Sequence, residues 1–315
     1  MNVDPAVVPA CGRLQSGFAG DLRRGLSRES IVRENEPLAR RTTLRVGGAA
    51  DLYVEPASEL DLQAAVIFCS RNHLPIFILG RGSNLLVRDN GFRGAVICLA
   101  QPFFARIELE ATVLRCGAGA KLKSVAVEAK RHEISGLEFL EGIPGSVGGA
   151  LRMNAGAMGG STFDIVQTVR LMDREGNIAE RNAVELAVKY RECTTLKSQI
   201  ALGAVLQGRA GTRMEIERKM NEFSQKRWSS QPAAPSAGCM FKNPAAIPAG
   251  KLIEELGLKG TRRGGAMVSL EHGNFLINDG TATAGDVLSL IELIRQQVRG
   301  ARGIELETEV EIIGE

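Results

Sequence analysis

The chain alternates short apolar runs with glycine-marked turns, and in a few places switches to helical spacing. Leu44 and Val46, then Leu52 and Val54, alternate around Gly47-Gly48 and predict two short strands about a tight turn. Ser58 is a candidate helix cap, and Leu60, Ala64, Val66, Ile67 and Phe68 predict a helix that stops before Pro75. Ile76 to Leu79 and Leu85 to Val87 are apolar strand runs on either side of the polar loop Gly80-Arg81-Gly82-Ser83-Asn84, and Ala95 to Leu99 is a further strand after an Asp-Asn-Gly turn. A strand pair is expected near Ala105 to Cys116, and Leu122, Val125, Ala126 and Ala129 fall at helical spacing. Val169 to Met172 and Asn177 to Ala179 flank Asp-Arg-Glu-Gly as a hairpin, and Ile200 to Leu206 is a strand. A charged helix is expected from about Met214 to Arg227, followed by a proline-rich crossing loop, SSQPAAPSAG. Beyond it the pattern predicts a short helix (Lys251 to Leu256), strands at Ala266 to Leu270 and Phe275 to Asn278, and a helix capped by Thr283. That helix carries Val287, Leu290, Ile291, Ile294 and Val298 on one face, and a terminal strand, IELETEVEII, follows it. Residues 1 to 35 show no clear period and read as a lead-in.

The stretch from Glu138 to Gly156, EFLEGIPGSVGGALRMNAG, does not fit a linker. Its glycines (142, 145, 148, 149 and 156) are interleaved with Phe139, Leu140, Ile143, Val147 and Leu151. The apolar residues call for burial, and glycine permits close backbone approach, so the run is expected to wrap a bound group. Together with GRGSNLLV (Gly80 to Val87) it forms two glycine-dense loops in one αβ region, which suits a two-ended ligand such as a dinucleotide. Loop amides that converge on one concavity bind phosphate oxygens. GRGSNLLV lacks the GK[ST] of a Walker loop, and a strand rather than a helix follows it, which excludes a Rossmann fingerprint.

Composition narrows the class. The 315 residues suffice for two domains, and a net charge of +3 with 4% aromatics offers no nucleic-acid footprint. No apolar run reaches the roughly 20 residues of a membrane helix. The early Asp and absent basic region at the N-terminus argue against a signal peptide. The six cysteines form no CxxC pair and, with the chain length, favour a reducing cytoplasm, and the three scattered histidines make no metal motif.

Three further places carry chemistry. Arg191, after Tyr190, can clamp a carboxylate. Cys239 sits on a constrained loop, PSAGCMFKNP, as a thiol able to donate a proton at neutral pH. Glu305, Glu307, Glu309 and Glu311 share one face of the terminal strand, and periodicity does not choose among them.

TTLRVGGAADLYVEP, GRGSNLLV, LEFLEGIPGSVGGALRMNAGA, YRE, PSAGCMFKNP, GAMVS…H…FLIN and LETEVEIIG occur in the order found in the UDP-N-acetylenolpyruvoylglucosamine reductases, and the chain resembles that family from about Arg40 to Gly314. The resemblance implies an α+β protein. An FAD-binding domain of the vanillyl-alcohol-oxidase (PCMH) type in two α/β lobes (36–210) would be followed by a smaller α+β substrate-binding domain (211–315). It implies FAD held by Thr43, Arg45, Gly80, Arg81, Gly82, Ser83, Asn84, Leu85, Ile143, Pro144, Gly145, Gly148, Gly149, Asn154, Ala155 and Gly156, with NADPH as reductant and no metal. The substrate implied is UDP-N-acetylglucosamine enolpyruvate, bound with help from Tyr190, Lys242 and Asn243. Hydride would go to C3 of the enolpyruvyl group, Arg191 and Glu309 would stabilise charge at C2, and Cys239 would protonate C2. Familiar members carry serine at the position of Cys239, and no extra tyrosine-bearing insertion lies between Tyr190 and Cys239, which resembles the shorter type of the family. A monomer in the cytoplasm is expected. The rival readings are a flavin oxidase of the vanillyl-alcohol-oxidase type and a non-catalytic flavin redox sensor.

Overall fold

A computed structural model describes residues 17–315; Cys11 and the first part of the expected lead-in lie outside them. The rest of the lead-in supplies a helix, Phe18–Arg24, and a strand, Ile31–Pro37. This strand runs antiparallel to Ala49–Glu55 as the edge of the first sheet. Its sequence, IVRENEP, hides the strand because only one face meets the core: Val32 is buried and the charged residues between it and Glu36 are exposed.

The first lobe is a four-stranded mixed sheet in the order Ile31–Pro37, Ala49–Glu55, Phe92–Cys98, Ile76–Leu79, with the last three strands parallel. Helix Glu59–Arg71 covers it, burying Leu62, Ala65, Val66 and Cys69, and the Ser58 side chain accepts from Asp61 N as the cap requires. The strand expected at Leu44 to Val46 does not form. Arg45 has φ 61° and Gly47 has φ 103°, and a Cβ on Gly47 would lie 2.3 Å from Val87 O. The alternation of Leu44 and Val46 is nevertheless real: both are buried, in the core of the C-terminal unit.

The second lobe is a five-stranded antiparallel sheet, Ile178–Asn182, Val166–Met172, Ile200–Gln207, Val113–Gly117, Ile107–Glu110. Helices Leu122–Arg131 and Val147–Met153 share its core. The charged helix runs from Arg213 to Ser230 and places Ile216 and Met220 in this same core. The helix thus starts just past the expected boundary at 210/211 yet packs backwards, on the lobe before it.

The C-terminal unit has a four-stranded antiparallel sheet, Ser236–Cys239, Phe275–Asn278, Ala266–Val268, Arg262–Arg263. Helix Ala284–Arg302 lies in its core through Val287, Leu290, Ile291, Ile294 and Val298 and starts at a Thr283–Asp286 capping box. The terminal strand is shorter than expected, Glu311–Ile313, and it leaves this unit to pair in parallel with Leu85–Val87 of the first lobe. That return crossing brings the acidic segment to the glycine loop. Residues 307–309 run along 240–242, with Lys242 N donating to Glu307 O at 2.9 Å and Glu309 N to Met240 O at 2.9 Å.

Candidate active site

A cleft of about 1400 Å³ separates the two lobes and the C-terminal unit. Its walls are the loops after strand Ile76–Leu79 and before helix Val147–Met153. The two loops oppose one another so closely that a Cβ on Gly80 would meet Ser146 Oγ at 3.0 Å. At Gly82, φ is 62° and a Cβ would lie 2.3 Å from Arg41 O, so only glycine fits there without displacing backbone. The 143–149 loop is anchored along 118–122, with Leu122 N donating to Gly145 O and Gly148 N to Ala118 O.

Of the cofactor residues expected from sequence, Thr43, Arg45, Gly80 to Leu85, Ile143 to Gly145, Gly148, Gly149, Ala155 and Gly156 all line this cleft. Asn154 does not. It ends helix Val147–Met153 in the left-handed conformation (φ 40°), and its side chain donates to Lys189 O and accepts from Phe163 N. That arrangement ties the helix to the hairpin carrying Arg191. Asn84 also departs from expectation. Its Nδ2 donates to Glu309 O at 3.0 Å and to Met153 Sδ at 3.5 Å, so both donors are spent within the protein rather than on a phosphate. Thr43 Oγ1 likewise donates to Ser236 O at 2.6 Å, tying the first lobe to the strand that carries Cys239.

Sequence reasoning missed much of the cleft's charge. Arg40, Arg41, Arg152, Arg174, Arg227, Lys121 and Lys197 line it along with Arg45, Arg81 and Arg191, against only Glu309 and Glu311 as acids. These residues sit on unrelated segments, so no local motif marks them. Burial, joined at Arg174 by the neighbouring Arg152, pushes Arg174 and Arg227 below the ordinary arginine range. Arg41 is neutralised internally, paired with Glu36 and Glu55 and stacked 4.4 Å over the buried Tyr53 ring.

Arg191, Cys239 and Glu309 come together at one end. Arg191 occupies the tip of a two-residue hairpin between Val188–Lys189 and Glu192–Cys193. Its φ of 59° is strained for a side-chain-bearing residue. Its Nε lies 3.0 Å from Glu309 Oε1, yet the buried N–H has no aligned acceptor. The contact is therefore a charge pair whose hydrogen-bond alignment is poor. Cys239 follows a bulge in its strand, where Gly238 takes φ 75° and the register against Phe275–Asn278 shifts. Such a bulge re-aims the next side chain. Burial and the neighbouring Glu309 push the Cys239 thiol up to about 12, with Arg191 and a hydrogen bond to Asn274 opposing. Burial also raises the Glu309 carboxyl above its usual range, against the pull of Arg191 and Lys242. Glu309 and Cys239 are thus both biased toward their protonated forms beside a fixed cation.

Periodicity left four glutamates equivalent; the structure separates them. Glu305 and Glu307 are solvated (68% and 75% of the side chain exposed), Glu311 pairs with Arg152, and Glu309 is 16% exposed. The expected substrate residues sit further out. Tyr190 is exposed, with its ring 5.0 Å from the Arg191 guanidinium. Lys242 Nζ pairs with Glu307 at 3.1 Å, and Asn243 Oδ1 accepts from Ala249 N to start a helix. None of these three lines the cleft. Among the described residues, no cluster of His, Cys, Asp or Glu is placed to hold a metal, and the half-buried His272 accepts from Asn274 N through Nδ1.

A family model for an FAD-binding domain matches residues 50–182, and one for the C-terminal domain of UDP-N-acetylenolpyruvoylglucosamine reductase matches residues 231–313. Fold and site therefore define a flavin-dependent oxidoreductase: an FAD-binding domain in two lobes, followed by an α+β domain. A UDP-N-acetylenolpyruvoylglucosamine reductase of Caldanaerobacter subterraneus is 41% identical over 94% of this chain and 98% of its own length. That of Clostridioides difficile is 42% identical over 92% and 95%. The crystal structure of the corresponding reductase from Thermus caldophilus superposes with a TM-score of 0.79 at 38% identity, covering 90% of this chain and all of that one. The chain belongs to the UDP-N-acetylenolpyruvoylglucosamine reductase family. FAD is its cofactor. The residues present fit that cofactor, since glycine walls that a Cβ would close and a strongly cationic lining suit a dinucleotide.

Proposed function

We propose that this enzyme reduces the enolpyruvyl ether of UDP-N-acetylglucosamine to UDP-N-acetylmuramate in peptidoglycan synthesis, with Arg191, Cys239 and Glu309 as the catalytic residues. The observation that carries the assignment is their convergence, from three distant segments, at the end of a glycine-walled cleft. Bound FAD supplies the hydride relay from NADPH to the terminal vinyl carbon, C3, of the substrate. Negative charge then builds at C2 and spreads into the substrate carboxylate. Arg191 and Glu309, the latter with a raised pKa, stabilise that charge; oriented donors of this kind contribute factors of about 10² to 10³. Cys239 gives its proton to C2, and burial keeps the thiol protonated until that step. FAD is held by the 80–85 and 143–149 loops with Thr43, Arg45, Ala155 and Gly156 beside them. Arg174 and Arg227 meet the anionic groups of the nucleotide ligands, and Tyr190 and Lys242 flank the mouth.

In this reading residues 36–210 bind the flavin and 211–315 serve the substrate, with helix Arg213–Ser230 packed back on the flavin-binding lobe. The enzyme works as a cytoplasmic monomer. One chain supplies the whole constellation, and the thiols of Cys69, Cys98, Cys116, Cys193 and Cys239 are all free, as a reducing compartment favours. Among the described residues, no helix is long and apolar enough to cross a membrane. The test is anaerobic. Protein reduced by one equivalent of NADPH should be reoxidised by one equivalent of the enolpyruvyl substrate. Reoxidation only on admitting oxygen would instead mark an oxidase, and a colourless purified protein that takes up no FAD would remove the flavin reading altogether.

A further inference from the structure

Glu309 lies on a segment with little regular structure of its own. The strand that follows it has three residues, and the residues before it make a single bridge, Phe241 with Thr308. A carboxyl group that must face both Arg191 and Cys239 needs a firmer hold than that. Beyond the bond from Glu309 N to Met240 O at 2.9 Å, two further groups provide it. Asn84, in the glycine loop of the first lobe, donates from Nδ2 to the carbonyl of Glu309 itself at 3.0 Å, while its own carbonyl accepts from Glu311 N at 3.1 Å. One residue of the flavin loop therefore grips the acidic segment on both sides of Val310. The second hold is Arg152, at the end of helix Val147–Met153. Its Nη2 and Nε reach the two oxygens of Glu311 at 2.5 and 3.3 Å, and its Nη1 donates to Leu196 O at 2.7 Å. Each member of that pair is about one-third exposed, so its worth lies in bidentate direction more than in raw energy.

We propose that Asn84 and the Arg152–Glu311 pair are positioning residues for Glu309, and that through Asn84 the placement of this acid depends on occupancy of the flavin loop. The inference rests on the assignment of Glu309 to the reductive half-reaction on substrate. Its consequence is an order built into the fold: the loop 80–84 lines the cofactor cleft and also carries the peg for the acid. A change in the loop on cofactor binding therefore reaches the acid through Asn84.

Reduction of the flavin by NADPH does not call on Glu309, whereas reoxidation by the enolpyruvyl substrate does. The ratio of the two rates, measured by stopped flow on flavin-loaded protein, therefore isolates positioning from general damage. Asn84→Ala should lower the reoxidation-to-reduction ratio about tenfold. Asn84→Asp, which keeps the volume but replaces the donor with a carboxylate facing the Glu309 carbonyl, should lower it further. Glu311→Ala should lower it about threefold. The pH profile of reoxidation supplies a signature that misfolding cannot mimic. Arg191, Cys239 and Lys242 are the charged or titratable groups facing Glu309. A loosened Glu309 gains solvent and its limb should move to lower pH, whereas partial unfolding would only scale the amplitude. Hydrogen exchange gives a readout free of turnover. Adding FAD to apoprotein should slow exchange in peptides covering 305–315 of the natural chain, and Asn84→Ala should lose most of that protection. An unchanged rate ratio in both Asn84 variants, or equal FAD protection with and without the Asn84 side chain, overturns the proposal. Glu309→Gln is the control: if it leaves reoxidation at full rate, the catalytic assignment fails instead, whatever Asn84 does.

Discussion

The two ends of the cleft are built by different means. At the flavin end the shape is set by backbone: Gly80, Gly82 and Gly148 stand where a Cβ would meet Ser146 Oγ, Arg41 O or Ala118 Cβ at 3.0 Å or less. At the reacting end three side chains are aimed by three local irregularities. These are a left-handed arginine, a glycine bulge before Cys239, and a side-chain peg from Asn84 to the Glu309 carbonyl. The first end tolerates little change in shape but much in side-chain chemistry; the second reverses this. Binding and chemistry should therefore be separable by mutation.

The largest effect should fall at the reacting end. Cys239→Ala removes the proton for C2 and should slow reoxidation of the reduced flavin by the enolpyruvyl substrate about 10³-fold, while NADPH still reduces the flavin. Stopped-flow absorbance resolves the two phases, and rapid reoxidation in this variant would assign the proton to another donor. Next in size is the contrast between Glu309→Gln and Glu307→Gln. The first should cost about 10²-fold in turnover. The second, at an exposed residue paired only with Lys242, should cost less than about twofold, as surface ion pairs do. Equal effects would erase the distinction between the two glutamates.

At the flavin end, Gly82→Ala should act on binding rather than on chemistry. The new methyl group meets Arg41 O, and the left-handed backbone adds strain of about 1 to 2 kcal/mol. FAD affinity should fall by about 10- to 30-fold in a fluorescence titration of apoprotein, with near-normal half-reaction rates once loaded. A variant that binds FAD normally but turns over slowly would mix the two ends and break the comparison.

The same division explains what the sequence revealed. Glycine density between Glu138 and Gly156, and again at Gly80 to Asn84, is a compositional signal for a wrapped group, and nearly every cofactor residue implied there by the family resemblance lines the cleft. Asn154 was the exception because a left-handed helix cap looks, in sequence, like part of the same glycine-rich run. Helices with clean periods were legible to within a few residues, as with Thr283 and the face from Val287 to Val298. Strand Ile31–Pro37 was not, since an edge strand with one buried face shows too few apolar positions. At the reacting end the order of family motifs pointed to Arg191, Cys239 and Glu309, but local pattern alone left all four glutamates open. What separates them is a long-range pairing, Glu311–Ile313 on Leu85–Val87, and no local period encodes a contact across more than two hundred residues. The cationic lining from Arg152, Arg174 and Arg227 was invisible for the same reason.

The smallest effect concerns sulfur itself. Cys239→Ser keeps a proton donor at the bulge, so reoxidation should stay within about tenfold of the parent if orientation dominates, because proton transfer tolerates a change of donor better than a misplaced one. The two donors part company at high pH. The Cys239 thiol is pushed up to about 12 in the fold, whereas an unfolded thiol titrates near 8.5. Below about pH 8.5 both states hold the proton and the thiol makes no pH-dependent contribution. Above it the unfolded chain ionises first, so stability declines as pH rises toward 12. Serine does not titrate in this window, and the variant should lose less of its melting temperature between pH 8 and pH 10.5 than the parent does. Identical alkaline losses would mean that the thiol is solvated rather than buried beside Glu309, and the reacting end would then be as open as the flavin end.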